Sequence, residues 1–165
     1  MLRISKIVDY GILVLTHMAL QPTHVCSAAE LASGLGLGQP VVSKVLKLLA
    51  QHRLVTSTRG AHGGYRLERD AEQISVAEII DALEDQPFGL TECTATPGAC
   101  SVESGCHIRT HWQRINLIVR RTLESVTLAD MLSDTSAVPV SVAPVASVAA
   151  PARPIPNTPN WSLSK

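Results

Sequence analysis

Residues 27–49 read SAAELASGLGLGQPVVSKVLKLL, and the fold turns on this stretch. Ser27-Ala-Ala-Glu30 has the form of a capping box, in which the hydroxyl accepts from a first-turn N–H and the Glu accepts from the cap's own N–H. Leu31, Ala32 and Leu35 then share one face of a short helix that stops at Gly34-Leu-Gly36-Leu-Gly38. Pro40 suits the first turn of a second helix, where a missing N–H costs nothing. Val42, Val45, Leu46 and Leu49 recur at i, i+3, i+4 and i+7, an amphipathic stripe. Two short helices joined by a glycine-rich turn are a helix-turn-helix.

Downstream the period changes. Leu54–Thr58 and Tyr65–Glu68 flank Arg59-Gly-Ala-His-Gly-Gly64, which predicts a hairpin, and a helix-turn-helix followed by a hairpin is a winged helix. Upstream, Ile7, Tyr10, Val14 and Met18 predict a helix over residues 3–20, ended by Pro22. A second capping box, Ser75-Val-Ala-Glu78, opens a helix whose Val76, Ile79, Ile80 and Leu83 face the core, with Pro87 closing it. Its acids Glu78, Asp81, Glu84 and Asp85 are expected on a solvated face.

Residues 87–106 have no regular period. After them Ile108, Trp112, Ile115, Val119, Leu123 and Val126 recur every three or four residues, with Arg114 and Arg121 opposite. So broad a stripe needs a surface to cover it: a second copy of the chain, or the helix's own domain. The expected class is therefore mostly α with a small β-hairpin wing, a winged helix-turn-helix plus a long dimerisation helix. The expected boundaries are 1–86 for the winged helix-turn-helix domain and 87–106 for a cysteine-rich loop. Residues 107–134 hold the dimerisation helix and a short C-terminal helix, and 135–165 form a disordered tail.

The 165 residues suit one ordinary domain, and their formal charge is zero. That average hides a partition. Residues 1–69 carry +5, residues 70–104 carry −8 without a single Lys or Arg, and residues 105–165 carry +3. Six of the ten prolines fall in 139–159, within a Pro/Ala/Val/Ser run that has no aromatics, which predicts disorder. No Pro-free apolar run approaches the roughly 18–20 residues of a membrane span. Asp9 and His17 interrupt what would be a secretory leader, so a cytoplasmic protein is expected. No nucleophile–base arrangement, phosphate loop or carboxylate pair points to catalysis, and no enzyme is expected.

Two groups of residues carry chemistry. The polar face of the second helix of the pair presents Gln39, Ser43, Lys44 and Lys47, types that bond base edges and phosphates. Arg59 at the hairpin tip suits a narrow minor groove, and Arg53 and Arg66 add phosphate electrostatics. The expected partner is double-stranded promoter DNA with a palindromic operator, bound by a homodimer. The other group is Cys93, Cys100 and Cys106, spaced C-x6-C-x5-C among Gly, Thr, Ser and acids. Three thiols with little apolar company read as ligands for zinc or an iron–sulfur cluster, or as a reversible disulfide. His107 and His111 are candidates for a fourth ligand. Cys26 reads as a small buried hydrophobe.

Together LRISKIVDYGILVL, the helix pair, the wing LVTSTRGAHGGYRLERD, the following ISVAEIIDALE and the three cysteines resemble the IscR/NsrR-type (Rrf-two) winged-helix regulators over residues 1 to about 134. GQPVVSKVLKLL, SGCHIRTHW and VTLADML look most like the branch that regulates the SUF iron–sulfur assembly system. The resemblance implies an iron–sulfur cluster, most often [2Fe–2S], on Cys93, Cys100 and Cys106, in a repressor of assembly genes. The IscR pattern has a His three residues after the last Cys, where this chain has Arg109. Asp9 matches the place from which NsrR-type proteins contribute a ligand across the dimer, so Asp9 of the partner subunit joins His107 and His111 as a candidate. The resemblance also admits a nitric-oxide- or redox-responsive repressor, and the thiols alone admit an iron–sulfur redox protein that binds no DNA.

Overall fold

Most helix starts are written in local side-chain chemistry. In the computed structural model, which describes residues 4–60, 63–84 and 86–133, Ser27 Oγ accepts from Glu30 N–H at 3.2 Å and Glu30 accepts from Ser27 N–H at 2.7 Å. This box opens helix α2, Ala28–Leu35, which ends at Gly36 in the left-handed region (φ +65). Before it runs α1, Lys6–Ala19, capped by Ser5; after it runs α3, Gln39–Gln51, with Pro40 in its first turn. The second box, Ser75 with Glu78, opens α4, Val76–Leu83. A third box was not read from the sequence: Thr127 with Asp130 opens the short α7, Leu128–Leu132. Between α4 and α7 lie α5, Glu92–Ala95, and the long α6, Arg109–Ser125.

The wing is the antiparallel pair β1, Val55–Thr58, and β2, Gly64–Leu67, with Val55 opposite Leu67 and Thr58 opposite Gly64. It is sewn to the head at its outer edge. Cys26 N–H donates to Tyr65 O at 2.9 Å, and Tyr65 N–H donates back to Cys26 O at 2.8 Å. A side-chain Cβ on Gly64 would sit 2.6 Å from that Cys26 oxygen, so this edge requires glycine.

The core collects Val14, Leu15 and Met18 of α1, Leu31, all four stripe residues of α3, Leu54, Val55, Ile74, Ile79 and Leu83. The face of α1 is turned part-way from the expected one: Val14 and Met18 are buried as expected, together with Val8, Gly11 and Leu15, while Ile7 and Tyr10 are half-buried on its flank. The reason is α4: any Cβ on Gly11 would overlap Leu83, so the two helices meet where α1 has no side chain. Leu128 of α7 is fully buried in the same core. Leu128 N–H donates to Ile74 O at 2.8 Å and Val76 N–H to Val126 O at 2.9 Å, closing the chain back onto the start of α4. Among the described residues, no helix is long and apolar enough to cross a membrane. The predicted disordered tail lies outside the described residues.

The caps set an acid limit on stability. Glu30 is held below the usual carboxylate range by the Ser27 N–H and hydroxyl, and Asp130 likewise by Thr127. Burial pushes Glu78 up, but the Ser75 N–H and the Arg69 guanidinium outweigh it. A depressed folded pKa gives stability that is complete above the unfolded value and is lost as pH falls through the folded one. Thermal melts should therefore be flat above about pH 5 and decline below about pH 4. A Glu30→Gln, Glu78→Gln, Asp130→Asn variant should show a shallower acid decline, and Ser75→Ala should cost on the order of 1 kcal/mol by denaturant titration.

Candidate nucleic-acid interface and cysteine segment

Helix α3 turns Val42, Val45, Leu46 and Leu49 inward, which leaves Gln39, Ser43, Lys44 and Lys47 exposed on its outer side. Val41 is 39% exposed beside them, an apolar side chain suited to a thymine methyl. The expected DNA-facing residues did not include it, although its place off the buried stripe is a signal visible in the sequence. Helices α1, α2, α4, α5 and α7 each carry an acid in the first turn, whereas α3, like α6, has none and no side-chain cap. The positive end of its dipole is therefore unmasked, as suits an anion.

Arg59 is exposed on the wing beside Gly60, whose φ of +125 only glycine adopts readily. Arg53 is exposed as well, in the left-handed region (φ +56) directly after α3. Leu54 N–H returns to Leu49 O at 3.0 Å around it, the closure of a helix end where glycine is usual. Arg66 is exposed on β2. The basic residues expected to face DNA thus all reach solvent from one winged helix.

The cysteine segment joins α4 to α6. Cys93 is buried in α5, with Thr91 Oγ1 at 3.3 Å from its sulfur; Cys100 and Cys106 are half-buried. All four cysteines are free thiols. Among the described residues, no three His, Cys, Asp or Glu side chains are gathered closely enough to hold a metal. The donor set, three soft thiols, fits zinc or an iron–sulfur cluster in chemistry. The arrangement in this structure does not bring it together. His107 and His111 are exposed next to Cys106, and Asp9 is exposed in the first turn of α1. Cys26 is buried, and burial, then the Glu30 charge, pushes its thiol up, which matches the inert role expected of it.

Two acids of the expected solvated face, Glu78 and Asp81, remain about two-fifths exposed and also make ion pairs. Glu78 pairs with Arg69 at 2.9 Å, and Asp81 takes both guanidinium nitrogens of Arg120 at 2.7 and 2.6 Å. Arg120 also binds Glu124 at 2.8 Å and lies 5.9 Å from the centre of the Phe88 ring. It is the rivet between α4 and α6, and its partners hold it firmly charged. Sequence reading had no means of pairing groups 39 positions apart. The α6 stripe divides accordingly. Val119, Leu123 and Val126 are half-buried, while Ile108, Trp112 and Ile115 are exposed, together with Leu117 and Ile118. An apolar groove of about 670 Å³ lined by Ile4, Ile80, Phe88, Trp112 and Leu123 adjoins them.

A basic recognition helix and a wing on a small helical domain define a DNA-binding transcriptional regulator. The chain belongs to the Rrf2 family, described as iron-dependent transcriptional regulators, whose model matches residues 4–134. It is 32% identical to protein rrf2 of Nitratidesulfovibrio vulgaris over 79% of this chain and 87% of that one. It is 31% identical to the regulator IscR of Sodalis glossinidius over 64% and 63%. Among solved structures it is similar to T. potens IscR (29% identity, TM-score 0.61, 79% of this chain and 86% of that one). It is also similar to CymR, the global cysteine regulator of B. subtilis (28% identity, TM-score 0.63, 80% and 97%). The members are regulators rather than enzymes, in keeping with the absence of a catalytic motif in the sequence.

Proposed function

We propose that this chain is a homodimeric repressor of iron–sulfur assembly genes of the SUF type, and that it senses an iron–sulfur cluster of the [2Fe–2S] kind on Cys93, Cys100 and Cys106. The observation that carries the reading is position: all three thiols lie on the one segment that connects the DNA-binding head to α6. The IscR relatives support it. Asp9 of the partner subunit, His107 and His111 are the candidates for a fourth, non-thiolate ligand, and their exposure leaves each free to serve. A bound cluster would supply a group that oxygen or nitric oxide attacks readily.

The chain's own residues do the rest. Two copies join through the exposed face of α6, led by Trp112 and Ile115. Gln39, Ser43, Lys44 and Lys47 enter the major groove of an operator half-site, and Arg59 reaches the minor groove. The half-sites of a palindrome lie about one helical turn apart, so the distance between recognition helices must be held. The cysteine segment sets how α6 sits against α4 and hence that distance. A coupling of about 1–3 kcal/mol through it gives roughly 5–150-fold regulation.

Trp112→Asp should give a monomer by sedimentation with the head still folded. Lys47→Ala should weaken operator binding and reduce the salt slope by about one, as read by titrations at several salt concentrations. Protein purified without oxygen should be coloured and contain iron and sulfide in equal amounts; colourless protein with zinc alone would establish the structural-zinc reading. The Cys93→Ala, Cys100→Ala, Cys106→Ala variant should lose the difference in operator affinity between cluster-loaded and cluster-free protein. Unchanged regulation in that variant would refute the sensor.

A further inference from the structure

In this structure the cysteine segment is closed by a group that is not a cysteine. Glu103 lies between Cys100 and Cys106, in the short 3-10 turn Glu103–Gly105. Its side chain is only 11% exposed, low for a carboxylate. One carboxylate oxygen lies 2.7 Å from Arg109 Nη2, at the start of α6, and the other accepts from Gly98 N–H at 2.6 Å. These partners stand on opposite sides of Cys100 and Cys106 in the chain, so one carboxylate ties residues 98–109 together.

The backbone beneath it is a run of tight turns. Glu103 N–H donates to Cys100 O at 3.1 Å, Cys106 N–H to Glu103 O at 3.4 Å, and Arg109 N–H to Cys106 O at 3.3 Å. Gly98 has φ +85, a conformation that side chains disfavour, and this orients its N–H toward the carboxylate. Arg109 Nε is buried with no hydrogen-bond partner, and Nη2 of the same guanidinium meets Glu103. The Glu103 carboxylate, 11% exposed, meets both a guanidinium and a backbone N–H, which makes a specific closure although the Arg109 side chain is itself 41% exposed.

We propose that Glu103 and Arg109 form a clasp that stabilises the thiol-separated arrangement of the segment and competes with gathering of Cys93, Cys100 and Cys106 about one metal centre. The competition half of this proposal rests on the cluster-holding reading above; the clasp itself does not. Bringing thiolates together beside Glu103 adds like charge to a carboxylate already balanced by Arg109. The clasp therefore has to open for the thiols to converge, and the segment has two alternative closures, one by an ion pair and one by a metal.

The test uses the full chain, reduced and treated with chelator, as wild type, Glu103→Gln and Arg109→Gln. Amide exchange of residues 98–109 should quicken about three- to tenfold in each variant, with α3 amides unchanged. Titration with Cd²⁺, followed by thiolate-to-metal absorbance, should show about three- to tenfold tighter binding in both. Unchanged exchange in both variants would overturn the clasp. Faster exchange with weaker Cd²⁺ binding in Glu103→Gln would overturn the competition and make Glu103 a ligand instead. If wild type shows no thiolate–Cd²⁺ absorbance, the cluster-holding reading and the competition fail together, and the exchange rates alone decide the clasp.

Discussion

The fold depends on a closure at Leu128. The chain leaves the winged helix at the end of α4, runs out through α5 and along α6, and returns to bury Leu128 in the head's own core. Two backbone hydrogen bonds, Leu128 to Ile74 and Val76 to Val126, seal the return beside the first turn of α4. The whole excursion is thus a loop pinned at its base, and the long helix cannot swing as a free arm. Helix α6, which follows the cysteine segment, packs on α4, and α4 packs directly on α1 and α3. This route by which a change among the thiols would reach a recognition helix is short and made of packed helices.

Charge organises the same closure. The acidic middle of the chain pairs with arginines from the segments on both sides. Glu78 takes Arg69 from the end of the wing, Asp81 takes Arg120 of α6, and Glu103 takes Arg109. Each pair is partly exposed, so none contributes much stability alone. Their value is positional: they fix where α6 and the cysteine segment lie against α4. Among the described residues, Lys44, Lys47 and Arg59 of the head have no acidic partner and face solvent, as phosphate requires.

Local grammar made much of this legible. Ser27–Glu30 and Ser75–Glu78 are helix starts wherever they fold, because each box satisfies two N–H groups within four residues. The Val42–Leu49 stripe names the buried side of α3 and, by exclusion, its outer side. The wing followed from β-branched runs about glycines. Other features were illegible for a common reason. The turned face of α1 depends on Leu83 meeting Gly11, the division of the α6 stripe depends on Arg120 meeting Asp81, and the closed segment depends on Glu103 meeting both Gly98 and Arg109.

The sequence alone therefore determined the helix-turn-helix, the wing, the basic residues of its outer face and the presence of three closely spaced thiols. These are properties of caps, periods and composition within a few residues of each other. Only the tertiary structure decided which acids serve as rivets, which half of α6 remains uncovered, and that Leu128 completes the head. Those outcomes hang on contacts between residues far apart in the chain, where periodicity supplies an apolar face or a charge but not the surface it will meet.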